Sequence, residues 1–342
     1  MKAAWLAGGM FALALGAPAH AQNVKVIPLG THPGELCDRD RATVFEDPTG
    51  VRILYDAGQS VTGGEDPRLG TIHVVLLSHA HGDHMGDRRI YALNAGSCEK
   101  PETASAAPHS TTAEIAAAKN ASMVMIRAMA NFLSLKVAAI RGKPVGVCAE
   151  PGGAIAAQQA APCIAPVELG GTKVVKAAGA SAGVEITTVY AAHDSTVARE
   201  LLTEAQQKAV APDNLGVTLG VPSGYVVKFS NGLKVYLSGD TGVHSEMRTI
   251  VRDYHHVNLA VINMGQNAIQ PEAAAYAMND LVQPAAVIVS HPNEGVTAGG
   301  VIKPNTRTKA FVDRVKGRPV HLAISGRAME FDGGGKCVAG CQ

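Results

Sequence analysis

The sequence has no excess of charge of either sign. Thirty Lys and Arg stand against 29 Asp and Glu, so no broad field favours nucleic acid or an anionic membrane, and any charge selectivity has to be local. Long apolar runs are also missing. The longest candidate, residues 121–140, carries Arg127 and Lys136, which argues against a stable membrane span. The apolar stretch at residues 3–15 is too short to cross a bilayer comfortably. Lys2 ahead of it and Ala19-His20-Ala21 behind it complete the pattern of an export signal over residues 1–21, with cleavage before Gln22. The expectation is a soluble, exported chain, periplasmic or secreted, and residues 22–342 suffice for a sizeable core. Direct reading finds no internal repeat, which sets repeat architectures aside.

Six cysteines are present, at Cys37, Cys98, Cys148, Cys163, Cys337 and Cys341. In an oxidising compartment an even number points to disulfides. Cys337 and Cys341 would close a short Gly-rich tail, and Cys148 and Cys163 a Pro/Gly-rich loop, but sequence alone leaves the connectivity open. A cysteine metal site is the competing use.

The chain is organised around Ser78-His79-Ala80-His81-Gly82-Asp83-His84. Residues 72–77 before it form an apolar, β-branched run that reads as a buried strand, and a polar segment follows from Gly86. The cluster therefore sits on a loop at a strand's C-terminal end, where open α/β sheets place their sites. On an extended loop His79 and His81 project to one side, while Asp83 and His84 can turn toward a second point. Imidazole and carboxylate donors suit zinc, manganese or iron, whereas structural zinc more often takes cysteine. The bland alternative is a histidine-rich surface loop.

Strand-like runs are expected at 24–29, 42–45 and 51–55, the last two joined by a turn at Pro48-Thr49-Gly50. Residues 104–130 are rich in alanine, and Ser110-Thr111-Thr112-Ala113-Glu114 looks like a helix start. Residues 123–140 are apolar almost all round and read as a continuing helix. Strands resume at 173–176, 184–190, 225–229 and 233–237. Helices at 244–252, 271–281 and 306–315 then alternate with strands at 259–264, 286–290 and 320–324, as in an α/β fold. His193, Asp240 and His291 each follow one of these strands closely, so they are candidates to complete the metal site.

With these residues in place, the chain resembles the metallo-β-lactamase fold superfamily through His79-Ala80-His81-Gly82-Asp83-His84. Its Leu237-Ser238-Gly239-Asp240-Thr241-Gly242 and Gln270-Pro271-Glu272-Ala273-Ala274 segments are similar to the branch containing ascorbate-phosphate lactonase. Leu29-Gly30-Thr31 and Asp56-Ala57-Gly58 are similar to tRNA-maturing phosphodiesterases and arylsulfatases. The resemblance implies an αββα sandwich of two facing mixed sheets with outer helices and metals at one edge. Residues 97–170 fall outside it and read as a helical insertion after the first ligand loop. The resemblance also assigns one metal to His79, His81 and His193, a second to Asp83, His84 and His291, and a bridge to Asp240. Zinc is the first expectation for both ions.

The implied activity is hydrolysis of a lactone, phosphoester or similar ester by a water acidified between the cations, with Asp83 as the catalytic carboxylate. Hydrolysis of β-lactams is a second reading, and a non-catalytic periplasmic metal-binding protein a third. His32, Asn293 and Glu294 are candidate substrate contacts, the substrate being a small molecule. Ser78, Ser195 and Ser238 flank ligands without a nucleophile-elbow pattern and read as loop hydroxyls.

Overall fold

The computed structural model of the chain describes residues 23–341; the expected export signal lies outside the described residues. Two eight-stranded sheets dominate. The first runs in the spatial order Cys337–Ala339, Met329–Phe331, Val24–Leu29, Ala42–Glu46, Arg52–Tyr55, Val74–Leu76, Ser122–Ile126 and Cys163–Val167. It is antiparallel up to Arg52–Tyr55 and parallel beyond. The second runs Val320–Leu322, Ala286–Ser290, Leu259–Asn263, Lys234–Leu237, Ser223–Lys228, Val184–Tyr190, Thr172–Lys176 and Ile155–Ala156. Its first four strands are parallel, the pairings from Lys234–Leu237 to Thr172–Lys176 are antiparallel, and Ile155–Ala156 pairs in parallel at the edge.

Strand alternation shows why the central runs read as continuously apolar. Val74 and Leu76 point into a cluster that also holds Tyr55 and Val124 of the first sheet and Tyr225, Leu237, Val261 and Ile288 of the second. Val75, between them, points outward to a second cluster with Met123, Met125, Ile115 and Leu133. A third cluster packs Tyr236, Ile262 and Val289 under Met247, Met278 and Phe311. A strand covered on both faces has no polar side to show. The layering is helix, sheet, sheet, helix, as expected of the sandwich.

Polar ties hold the sheets together at both ends. At one end the Asp47 carboxylate accepts from Thr49 N and Ser230 N, each at 2.8 Å, and so joins the two hairpin turns. At the other, Tyr225 Oη donates to Leu77 O at 2.7 Å, and Tyr55 Oη accepts from Gly239 N at 2.9 Å. That second end carries the ligand loops.

The expected continuing helix over residues 123–140 is corrected at its start. The helix Thr111–Lys119, capped by Ser110, is present, but Ser122–Ile126 is a fully buried strand, and the next helix is Arg127–Arg141. Ser122–Ile126 pairs in parallel with Val74–Leu76 and with Cys163–Val167. The segment therefore completes the first sheet. A buried parallel strand is apolar on both faces, so residues 123–126 could not be told from a buried helix by pattern. The sulfurs pair as Cys37–Cys98, Cys148–Cys163 and Cys337–Cys341.

Candidate metal centre

The first ligand loop leaves Val74–Leu76 and closes with a single helical turn, Gly82–Met85. Gly86 ends that turn at φ 81°, where an added Cβ would meet Thr111 Cβ at 2.5 Å and Gly58 O at 2.6 Å. Only glycine fits so close an approach with positive φ. Asp56, at the end of Arg52–Tyr55, anchors the loop from beneath. Its buried carboxylate accepts from Ser78 N, Ser78 Oγ and His84 Nδ1, each at 2.8 Å. Donation from Nδ1 fixes the tautomer, leaving His84 Nε2 aimed at Asp240 Oδ1, 3.4 Å away.

The second sheet delivers one ligand per strand end. His193 follows Val184–Tyr190, and its ring stands 4.9 Å from that of His79 and 5.0 Å from that of His81. The His79 and His81 rings are themselves 4.5 Å apart, so the three imidazoles surround one point. Asp240 follows Lys234–Leu237 and faces both ways. Its Oδ2 lies 3.9 Å from His193 Nε2 and 3.5 Å from His291 Nε2. Asn263 Nδ2 donates to its Oδ1 at 3.2 Å. His291 follows Ala286–Ser290 at φ 48°, with its N–H donated to Asp40 O at 3.1 Å. Ligand atoms of His79, His81 and His193, of His79, His84 and Asp240, and of Asp83, His84 and His291 form three groups, each within 4.8 Å.

Whether a cation fits is decided by what these atoms lack. His79 Nε2 is buried with no hydrogen-bond partner among the described residues. An orphaned acceptor of that kind costs stability unless something else satisfies it. Burial, reinforced by His84, holds the His79 imidazole well below its usual range, and burial likewise lowers His193. Both are thereby kept in the neutral form that ligates. Burial would raise the Asp240 carboxyl, but His291 and His84 outweigh it and keep it ionised. Burial disfavours charge on His84 too, yet Asp240, Asp56 and Asp83 push its pKa up to about 10. The centre thus sets ionised carboxylates beside neutral imidazoles at His79 and His193, a donor set that fits a divalent cation.

The remaining candidates fall differently. His32 sits at the rim, its Nδ1 3.0 Å from Thr31 Oγ1 and its Nε2 3.3 Å from Gly96 O. Asn293 lies two residues past His291 at φ 51°. The Glu294 carboxylate accepts from Arg307 N and from Thr308 N and Oγ1, at the start of the helix Arg307–Val312. Ser195 Oγ accepts from Ala80 N at 3.1 Å, and Ser238 Oγ accepts from Asn263 N at 3.1 Å, both loop-holding roles. Ser181, within Gly179-Ala180-Ser181-Ala182-Gly183, is exposed in the turn between Thr172–Lys176 and Val184–Tyr190, away from the ligand loops.

Sequence reading did not single out Arg41, Asp194 or Asn263. Asp194 Oδ2 lies 3.2 Å from His81 Nε2. Arg41 donates to Asp83 Oδ2 and, at 3.0 Å, meets His291 Nε2. The available signal for Arg41 was two charged residues, Asp40-Arg41, set directly against the apolar run that begins at Ala42.

No family model matches the chain. A UPF0173 metal-dependent hydrolase of Staphylococcus carnosus is 23% identical over 75% of this chain and 84% of that protein. Another, from Polynucleobacter asymbioticus, is 32% identical over 35% of this chain and 40% of that protein. Among solved structures, Igni18, a metallo hydrolase from Ignicoccus hospitalis, superposes with a TM-score of 0.54 at 20% identity, covering 91% of this chain and 99% of that one. With the four-layer sandwich and its ligand-bearing edge, the likeness to Igni18 shows a shared fold.

Proposed function

We propose that this protein is an exported metal-dependent hydrolase acting on a lactone, phosphoester or similar ester. The observation that carries the reading is the convergence of His79, His81, His193, Asp240, Asp83, His84 and His291 at one end of the sandwich. The Staphylococcus carnosus relative bears the description metal-dependent hydrolase. The pairing of the cysteines supports an oxidising compartment.

His79, His81 and His193, with Asp240 beside them, would hold one cation, zinc first by its donor set. Asp83, His84 and His291 are the donors that the superfamily resemblance gives to a second. When bound, such a cation supplies Lewis acidity that polarises the substrate and acidifies water. The chain's own residues do the positioning. Asp56 and Ser78 hold His84, Asn263 holds Asp240, and Ser195 holds the backbone at Ala80. Burial would raise the Asp83 carboxyl, but Arg41 and His84 hold it well below the usual range. With its side chain 32% exposed, Asp83 is an ionised acceptor at the mouth, able to orient a water molecule.

The test is a hydrolysis screen of the metal-loaded mature protein on lactones, phosphodiesters, sulfate esters and β-lactams, with chelated protein as control. Turnover confined to lactones or phosphoesters, lost on chelation, is expected. Chelation-resistant turnover would remove the metal from the reaction. Turnover of β-lactams alone would replace the proposed substrate class.

A further inference from the structure

The two donor groups differ in one respect: the second already contains a cation. Arg41 Nη1 donates to Asp83 Oδ2 and lies 3.0 Å from His291 Nε2, and those two ligand atoms are themselves 3.4 Å apart. The guanidinium therefore sits against the donor atoms that a second metal would have to share. It is not a stray surface group, since the side chain is only 2% exposed. Its seat is shaped for it. Gly58, at φ 54°, passes so close that an added Cβ would meet Arg41 Cγ at 2.6 Å and Cδ at 2.7 Å. The backbone on its N-terminal side is fastened as well, Asp40 O accepting from His291 N at 3.1 Å.

From this geometry we infer that Arg41 serves as the second cation of the centre, so that the chain binds one divalent ion, at His79, His81, His193 and Asp240. This rests on the hydrolase reading above and refines its ion count. Charge supports it. Asp56, Asp83 and Asp240 are the carboxylates around this second group, Asp194 standing on the exposed side of His81. The guanidinium already offsets part of that negative charge, and a second divalent ion would add two positive charges directly beside it. A divalent ion brought against it meets repulsion that weakens binding by about a thousandfold or more.

The experiment is a zinc titration of chelator-stripped, folded protein, read by native mass spectrometry and calorimetry and independent of any substrate. Wild-type protein is expected to take one tight ion per chain, and Arg41→Gln two. Asp83→Asn guards against an Arg41 variant that fails to fold. With Arg41 intact it should still bind one ion with unchanged affinity, because Asp83 partners the guanidinium and not the metal. Two tight ions in the wild type, a fall from two to one in Asp83→Asn, or a single ion in folded Arg41→Gln would each overturn the inference and leave the hydrolase reading standing. Folded wild-type protein that binds no zinc, manganese or iron would overturn both.

Discussion

The two sides of the centre are built in opposite ways. The first sheet supplies His79, His81, Asp83 and His84 from one continuous loop, fastened from beneath by Asp56 and closed by one helical turn. The second sheet supplies His193, Asp240 and His291 from three separate strand ends, whose relative positions follow from the parallel register of Lys234–Leu237, Leu259–Asn263 and Ala286–Ser290 and from the antiparallel Val184–Tyr190. One side is organised locally, the other by tertiary structure. Damage to a ligand-holding contact on the first side should stay local. The second side has a single residue, Asp240, that faces both groups of imidazoles.

Asp240→Ala is accordingly the largest expected effect. It removes the carboxylate that lies between His84, His193 and His291, and turnover should fall by about a thousandfold or more, since metal-assisted activation contributes several kcal/mol to the transition state. Turnover with metal content measured alongside checks it, and a loss of less than about tenfold would contradict the shared role.

Asp56→Ala tests the locally built side. Without its acceptor, His84 Nδ1 loses the bond that fixes the ring and Ser78 loses two partners. Ser78 Oγ in turn meets His79 Nδ1 at 3.0 Å, and removing such an outer partner costs about 10–100-fold in metal affinity or activity. Competition of each protein against a chromophoric chelator measures the affinity. The wild-type value in Asp56→Ala would show that the ligand loop holds itself in place.

What was legible in the sequence follows the same division. The first loop could be read outright because its ligands are contiguous and follow a buried strand. His193, Asp240 and His291 could be read only as strand-end positions, because the register that gathers them is not written locally. Arg41 was illegible for a stronger reason: its partners Asp83 and His291 lie 42 and 250 residues away. Ser122–Ile126 was hidden by its own burial, which erases the period that separates strand from helix. This bears on Met129 and Phe132, which the sequence places in the expected insertion, either lining the pocket or packed as a core helix. Met129 is fully buried among Leu133, Val137 and Met125, and Phe132 packs beside Lys136 near Pro108 and Leu201, in a groove that shares no residue with the metal centre. Met129→Ala should cost about 2–5 kcal/mol of stability, as Met truncations in a core do, with kinetics unchanged per folded molecule. Denaturant unfolding with parallel assays decides it, and a kinetic change at full stability would show that the segment reaches the pocket.

The smallest expected effect lies at the seam between the two sides. Ser195, two residues past His193, accepts from the backbone N–H of Ala80, between His79 and His81. It is thus a direct bond from a second-sheet ligand loop to the first ligand loop, and Ser195→Ala asks how much that bond matters. The seam has other ties, since Ser223 N donates to Ser78 O at 2.9 Å and Tyr225 Oη donates to Leu77 O at 2.7 Å. Losing one hydrogen bond of this kind costs about 1 kcal/mol, and somewhat more if Ala80 N–H is left without a partner. The expected result is a small drop in stability and a fall in turnover of less than about tenfold with metal retained. A Ser195→Ala protein as inactive as Asp240→Ala, folded and carrying its metal, would mean that the hydroxyl itself attacks the substrate. The contrast between the local and the assembled side would then no longer describe how the centre works.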